Sequence, residues 1–169
     1  MTISRIIASR RASIYPVTIG GRSPLLDGLV AYWNLEESTS ARVDAHDAFN
    51  YDLNPVNAPL ATSGLQGSAN VFSSAINSYL ERSSCNAMVV GFNDFTVAFW
   101  VNLKNTTFRL KTGIGDWGAA SPTTRVWGFN IFLITQTFMI SQTGVDSVDS
   151  TSGDTIFSDT WYFFAGRFK

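Results

Sequence analysis

Residues Phe95 to Leu103, FTVAFWVNL, alternate with a period of two: Phe95, Val97, Phe99, Val101 and Leu103 fall on one side, Thr96, Ala98, Trp100 and Asn102 on the other. Successive side chains leave a β-strand on opposite faces, so the pattern marks a strand with one wholly apolar face and a second face that is only half polar. The same pattern recurs in Gly28 to Leu35 (GLVAYWNL), where Leu29, Ala31, Trp33 and Leu35 point one way and Val30, Tyr32 and Asn34 the other. Further strands are expected at Val71–Phe72, Tyr79–Glu81, Thr107–Lys111, Val126–Ile134, Phe138–Ser141 and Trp161–Phe168, all dominated by β-branched and aromatic residues. Breaks at Asn54–Pro55, Gly64, Gly67, Gly113 to Gly115, Ser121–Pro122 and Ser152–Gly153 supply turn chemistry between them. The Ser-, Thr- and Asp-rich stretch Thr143 to Asp159 reads as an exposed hairpin loop. Helix signals are nearly absent. Many short strands at this spacing predict an all-β, antiparallel two-sheet sandwich, with Trp33, Phe99, Phe129 and Phe163 filling the layer between the sheets.

Composition narrows the function classes. Only 15% of the 169 residues are charged, against 45% hydrophobic and 14% aromatic, with thirteen Phe and five Trp, so most of the chain must pack against something. A net charge of −1 gives no general attraction to nucleic acid, which needs a clear surplus of Lys and Arg. No apolar run approaches the roughly 20 residues of a bilayer-spanning helix, and no membrane insertion is expected. A single cysteine, Cys85, excludes an intramolecular disulfide.

Charge is distributed unevenly: Arg5, Arg10, Arg11 and Arg22 all precede the first acidic residue, Asp27. Residues 1–24 therefore read as a separate basic and apolar N-terminal arm, and residues 25–169 as the sandwich. The arm lacks the continuous apolar core of a secretory signal, although its Arg- and Ser-rich, acid-free make-up also resembles an organelle transit peptide. Ile3, Ile6, Ile7, Ile14 and Tyr15 make it too apolar for a free tail, so together with Arg5, Arg10 and Arg11 they are expected to dock on an assembly partner.

Four stretches, taken in order, resemble the laminin-G-like/concanavalin-A-like lectin superfamily in its bacterial and phage-type branch. They are GLVAYWNL at 28–35, the loop Asp44…Asp52–Leu53, GSANVF at 67–72, and DFTVAFWV at 94–101, with WYFFA at 161–165 similar to a later family strand. In the loop, Ala45, His46 and Asp47 replace the small residues that the family carries. The stretch at 94–101 is the specific match, and the resemblance covers residues 26–169. It implies a jelly-roll sandwich of the concanavalin-A type. Family members continue past the WYFFA strand with a further hairpin, so the sandwich is expected to be incomplete at its C-terminus, its missing strands supplied by a longer polypeptide or by a neighbouring subunit.

Glycosidases of this fold set two carboxylates alternately along a strand, about 5 to 5.5 Å apart in retaining enzymes. No two acidic residues here are separated by two positions, and the adjacent Glu36 and Glu37 point to opposite faces of an extended chain. No catalytic residue is assigned, and the chain is not expected to be an enzyme. Asp44, Asp47 and Asp52 are the candidate metal ligands, for calcium, a hard cation that takes oxygen ligands; aspartates in turns also hydrogen-bond their own backbone, and no cofactor is required. His46, the one histidine, reads as a loop residue. Trp117, in the Gly113–Ala119 turn with Asp116 beside it, is the candidate ligand-binding aromatic, because a loop can present its face to a sugar. A lectin-like fold without an export signal suits a virion structural or attachment protein, a phage capsid decoration or tail-fibre module on a particle or extracellular surface. The expected partners are other virion subunits and further copies of the chain, with glycan as the alternative ligand and an extracellular carbohydrate-binding module as the alternative function.

Overall fold

A computed structural model describes residues 1–10, 28–46, 50–82, 94–104, 111–116, 127–132, 135–141, 147–152 and 155–168. These residues form strands and connecting turns, with no helix among them. The strands are β1 (Thr2–Arg10), β2 (Leu29–Trp33), β3 (Asn54–Val56), β4 (Leu60–Ser63), β5 (Ser68–Val71), β6 (Tyr79–Glu81), β7 (Phe95–Asn102), β8 (Lys111–Asp116), β9 (Trp127–Phe132), β10 (Thr135–Ser141), β11 (Ser147–Ser152) and β12 (Trp161–Phe168). The chain divides into two compact units, one made of Thr2–Trp100 with Phe163–Lys169 and the other of Met1 with Val101–Tyr162.

The first unit is organised around a six-stranded sheet of order β12-β7-β1-β5-β4, in which β2 also pairs with β1. β1 is antiparallel to β2, with Ile6 opposite Trp33, Ile7 opposite Tyr32 and Ala8 opposite Ala31, and the register shifts between Ala8 and Ser9. It is also antiparallel to β5, through Thr2 opposite Val71 and Ile3 opposite Asn70. Thr2–Arg10, the first part of the expected arm, is therefore a strand inside the sheet, carrying Ile3, Arg5, Ile6, Ile7 and Arg10. Arg11, Ile14 and Tyr15 lie outside the described residues.

In β7, Phe95, Val97, Phe99 and Val101 are buried on the apolar face, while on the other face Thr96 and Trp100 are half-buried and Ala98 and Asn102 are buried as well. On β12 the buried aromatic is Phe164, whose ring meets Phe99 edge-on with centroids 5.7 Å apart. Phe163, expected in the core, is instead 50% exposed. Two adjacent phenylalanines leave the parity of a strand ambiguous, and the Phe164–Phe99 contact resolves it. Leu29, Ala31, Trp33, Leu35, Tyr51 and Ala69 complete this core, where the Trp33 Nε1–H donates to the Tyr51 carbonyl at 2.7 Å. Full burial of side chains of this size contributes roughly 1.5–3 kcal/mol each.

Three of the expected turns are strands. Asn54–Pro55 opens β3, which pairs with β6 in a two-stranded sheet, a setting where a proline's missing N–H is tolerated because one edge needs no ladder bond. Gly113 to Gly115 lies inside β8, where the register shifts between Thr112 and Ile114 as at a bulge. The polar stretch expected to be a hairpin loop contains β11, paired with β10 from Gln136 opposite Ser152 to Ser141 opposite Ser147. The expected single strand Val126–Ile134 is shorter, ending at Phe132, and β10 starts at Thr135 directly opposite it. β8 to β11 make the four-stranded sheet of the second unit, with Phe129 and Phe138 packed at 5.1 Å between ring centroids. The turn at Gly64 to Gly67 is as expected: it closes the β4–β5 hairpin through a 2.8 Å bond from Gly64 N–H to the Gly67 carbonyl.

Because β2, β5 and β7 all pair with β1, a chain that begins at residue 11 will lose its cooperative thermal unfolding transition by circular dichroism. A truncated protein that melts as sharply as the full chain would contradict this placement of β1.

Candidate functional site

β2 ends at Trp33, and the chain then turns sharply. Leu35 is fully buried yet has φ of 60°, a left-handed conformation that costs a non-glycine residue about 1–2 kcal/mol. Its side chain is held in the core and its carbonyl accepts a hydrogen bond from Asn70 Nδ2 at 3.1 Å. The segment that follows is tied back to its neighbours by isolated bridges, Trp33 with Asp44 and Arg42 with Leu53. Arg42 and Leu53 exchange both backbone hydrogen bonds, at 2.8 and 2.9 Å.

Asp44 is the hub of this segment. It is 1% exposed. Its Oδ1 accepts from the backbone N–H groups of Tyr32 at 2.9 Å and His46 at 3.0 Å, and its Oδ2 accepts from Tyr51 N–H at 3.3 Å. Its own N–H donates to Asp52 Oδ1 at 2.9 Å. Asp52 also receives the Asn50 side-chain amide at 3.1 Å, in the amide orientation that satisfies both groups. One buried carboxylate thus ties together three backbone segments, the end of β2, the turn at 45–46 and the return at 51, by accepting from an amide of each.

Arg42 is the second member of the hub, with no exposed surface. Its Nε donates to Asn70 Oδ1 at 2.6 Å and its Nη1 donates to the Ser40 carbonyl. Desolvation by burial pushes its pKa below the usual guanidinium value, while the charge of Glu37 acts in the opposite direction. Asn70 therefore bridges Arg42 on one side and the strained Leu35 on the other. Glu37 Oε1 accepts from Val43 N–H at 2.9 Å, and Glu36 Oε2 accepts from Ser68 N–H at 2.8 Å. The Glu36 carboxylate lies over Gly67, whose φ of 68° and missing Cβ make room for it. Arg82 closes the far side, its guanidinium 5.4 Å from the Tyr51 ring centroid and its Nη1 donating to the Asp52 carbonyl at 3.3 Å.

This arrangement does architectural chemistry. Glu36, Glu37, Asp44 and Asp52 each accept from a backbone amide, Asp44 from three. Among the described residues no group of three or more His, Cys, Asp and Glu is placed to hold a metal ion. Asp47, the third candidate ligand, lies outside the described residues. His46 is half-buried and its backbone N–H serves Asp44.

Of the candidate ligand-binding pair, Trp117 lies outside the described residues, and Asp116 is the last residue of β8, opposite Trp127 in the ladder, not a member of a turn. A different aromatic pair stands at the surface. Phe163 packs on the half-buried Trp100 across β12 and β7, ring centroids 5.2 Å apart and planes at 50°, on the sheet face opposite Phe99 and Phe164. The sequence reading passed over Arg42, Asn70 and the Glu36–Gly67 contact, because no local pattern distinguishes an arginine that is buried from one that is solvated. It had the signal for Trp100, which alternates with the apolar face of β7.

No family model matches the chain, and no curated protein or solved structure matches it.

Replacing Asp44 with Ala leaves three backbone amides without their acceptor, so the expected loss of stability is at least about 3 kcal/mol in urea denaturation. Gly67→Ala forces a Cβ to within 2.8 Å of the Glu36 carboxyl carbon and adds the left-handed backbone cost, for an expected loss of about 1–3 kcal/mol. Combining it with Glu36→Ala removes the overlap, so the double variant will be more stable than the sum of the single losses predicts; strict additivity would show that the contact is not made.

Proposed function

We propose that this chain is a non-catalytic virion structural or attachment module, a jelly-roll sandwich of the laminin-G/concanavalin-A type that works by presenting a surface for assembly or recognition. The observation that carries the reading is the division of labour among its side chains. The described acids of the 36–53 segment, Glu36, Glu37, Asp44 and Asp52, each accept from a backbone amide, whereas large apolar groups stand in solvent, with Phe163 at 50% and Phe157 at 64% exposure. A general base or nucleophile needs an open lone pair within reach of a substrate, and Asp44, the acid at the centre of that segment, has its oxygens turned to buried N–H groups. An exposed phenylalanine seated on a half-buried tryptophan is the kind of aromatic anchor that protein contacts are built around. The wholly β architecture and the DFTVAFWV stretch at 94–101 support the jelly-roll assignment.

Particles purified from the source of this chain will contain it at a fixed copy number by quantitative mass spectrometry, and the free protein will release no sugar from a polysaccharide panel. Recovery only as a free protein with measurable glycan hydrolysis would overturn the reading. Specific binding on a glycan array that is abolished by Trp117→Ala would replace assembly with a lectin function.

A further inference from the structure

β3 and β4 follow one another along the chain, as do β5 and β6, and the four pair as β3 with β6 and β4 with β5. Together they make one long two-stranded ribbon, interrupted by an elbow with residues 57–59 on one side and 72–78 on the other. Hydrogen bonds within the elbow close it. Asn57 Nδ2 donates across it to the Asn77 carbonyl at 3.2 Å. Ser78 N–H donates to the Ser73 carbonyl at 3.0 Å, and Ser73 N–H donates to Ser78 Oγ at 2.6 Å.

Two properties set this ribbon apart. From Leu53 to Leu80 the sequence has no Asp, Glu, Lys, Arg or His, the longest such run in a chain of which 15% is charged. Much of that run is nonetheless at the surface, with all of β4 and all of residues 74–77 exposed. Leu60, Leu65, Ile76 and Tyr79 are 45–67% exposed, four of the seven large hydrophobic residues that stand in solvent among the described residues. Leu60, Ile76 and Tyr79 each lie within three residues of Asn57 or Asn77, so all three flank the elbow. At the other end of the ribbon the Glu36 carboxylate lies over Gly67, so the uncharged surface centres on the elbow and not on the tip.

A surface that faces water carries interspersed charges of both signs. Depletion of charge is instead the compositional mark of the buried centre of a protein–protein contact. A partner that brought a charge to the elbow would lose hydration there and meet no counter-charge from the ribbon. The surface that fits it is therefore itself uncharged and apolar, and the elbow of a second copy is such a surface. Two-fold contacts set like patches against each other, which repels where the patch is charged and does not here. The hydrogen bonds within the elbow hold its turn in place before contact, which keeps the ordering cost of association low.

We propose that the elbow of the 53–80 ribbon docks on the same elbow of a second copy across a two-fold axis, with Leu60, Ile76 and Tyr79 of each chain packing against those of the other. Such a contact is isologous and closes at two chains. It supplies a contact for the assembly reading, and rests on that reading for its use in a particle.

Sedimentation equilibrium of the full chain over a dilution series, at low and at high salt, tests this, with circular dichroism melts to show that each variant is folded. Wild type is expected to sediment as a dimer that high salt does not weaken, because no ion pair holds the contact. Ile76→Asp and Leu60→Asp, each a charge placed at an exposed position, should both weaken the dimer roughly tenfold or more while the chain keeps a cooperative melt. Phe157→Asp, which charges an exposed aromatic outside the ribbon, should leave the dimer unchanged. A wild type that stays monomeric at every concentration, a dimer that high salt dissociates, or one indifferent to both ribbon variants would overturn the docking. A monomeric chain found at fixed copy number in particles would sink the elbow contact and leave the assembly reading standing. A dimer absent from particles gives the converse.

Discussion

The pairing of β1 is the constraint on which the first unit depends. A nine-residue strand from the beginning of the chain lies between β5 and β7 and also carries β2, so the hydrogen-bond ladders of three other strands run through it. Partners as distant in sequence as Thr2 and Val71 must meet before that sheet exists. Loop closure over such separations opposes folding before the contacts compensate for it. The sheet is accordingly a non-local structure, and its β4–β5 hairpin is the part that forms from neighbouring residues.

The polar hub at the end of β2 solves a related problem. A chain that leaves a buried strand and returns across its end brings backbone amides into a region where water cannot serve them. Asp44 serves three of them, and Asn70 connects the buried Arg42 to the left-handed Leu35. The cost of burying the guanidinium is visible in the direction of its pKa shift, and it is offset by hydrogen bonds to Asn70 and Ser40 together with the charge of Glu37. Glu36 pins the β4–β5 turn through Ser68 and depends on Gly67 having no side chain. Glu36, Glu37, Asp44 and Asp52 in this way serve backbone amides that hold the fold.

Much of the sheet structure was legible because period-two patterns of apolar residues mark its strands, although Val30, Ala98 and Asn102 on their second faces are buried too. β7 and β2 carry unbroken period-two patterns, and β6 and β12 fall at the expected residues. β1 was less legible: Ile6 and Ile7 are adjacent and Arg5 and Arg10 interrupt the apolar positions, so neither face reads as core. β11, SVDSTS, has the composition of a loop, and its ladder with β10 is a matter of backbone pairing that composition does not encode. In β8 the glycines that suggested a turn accommodate an irregular register. Within the candidate site, the aspartates of the 44–52 loop were visible as turn residues, but their acceptor roles were not. Those roles are set by which distant amides the fold brings to them, as with Tyr32, twelve residues from Asp44.

Hydrogen exchange read residue by residue bears most directly on the central place of β1. Amides of Ile6, Ile7 and Ala8, paired with β2, are predicted to exchange as slowly as those at the centre of β7, opening only with the whole sheet. Exchange of these amides at the rate of an unstructured peptide, with β7 still protected, would contradict the account.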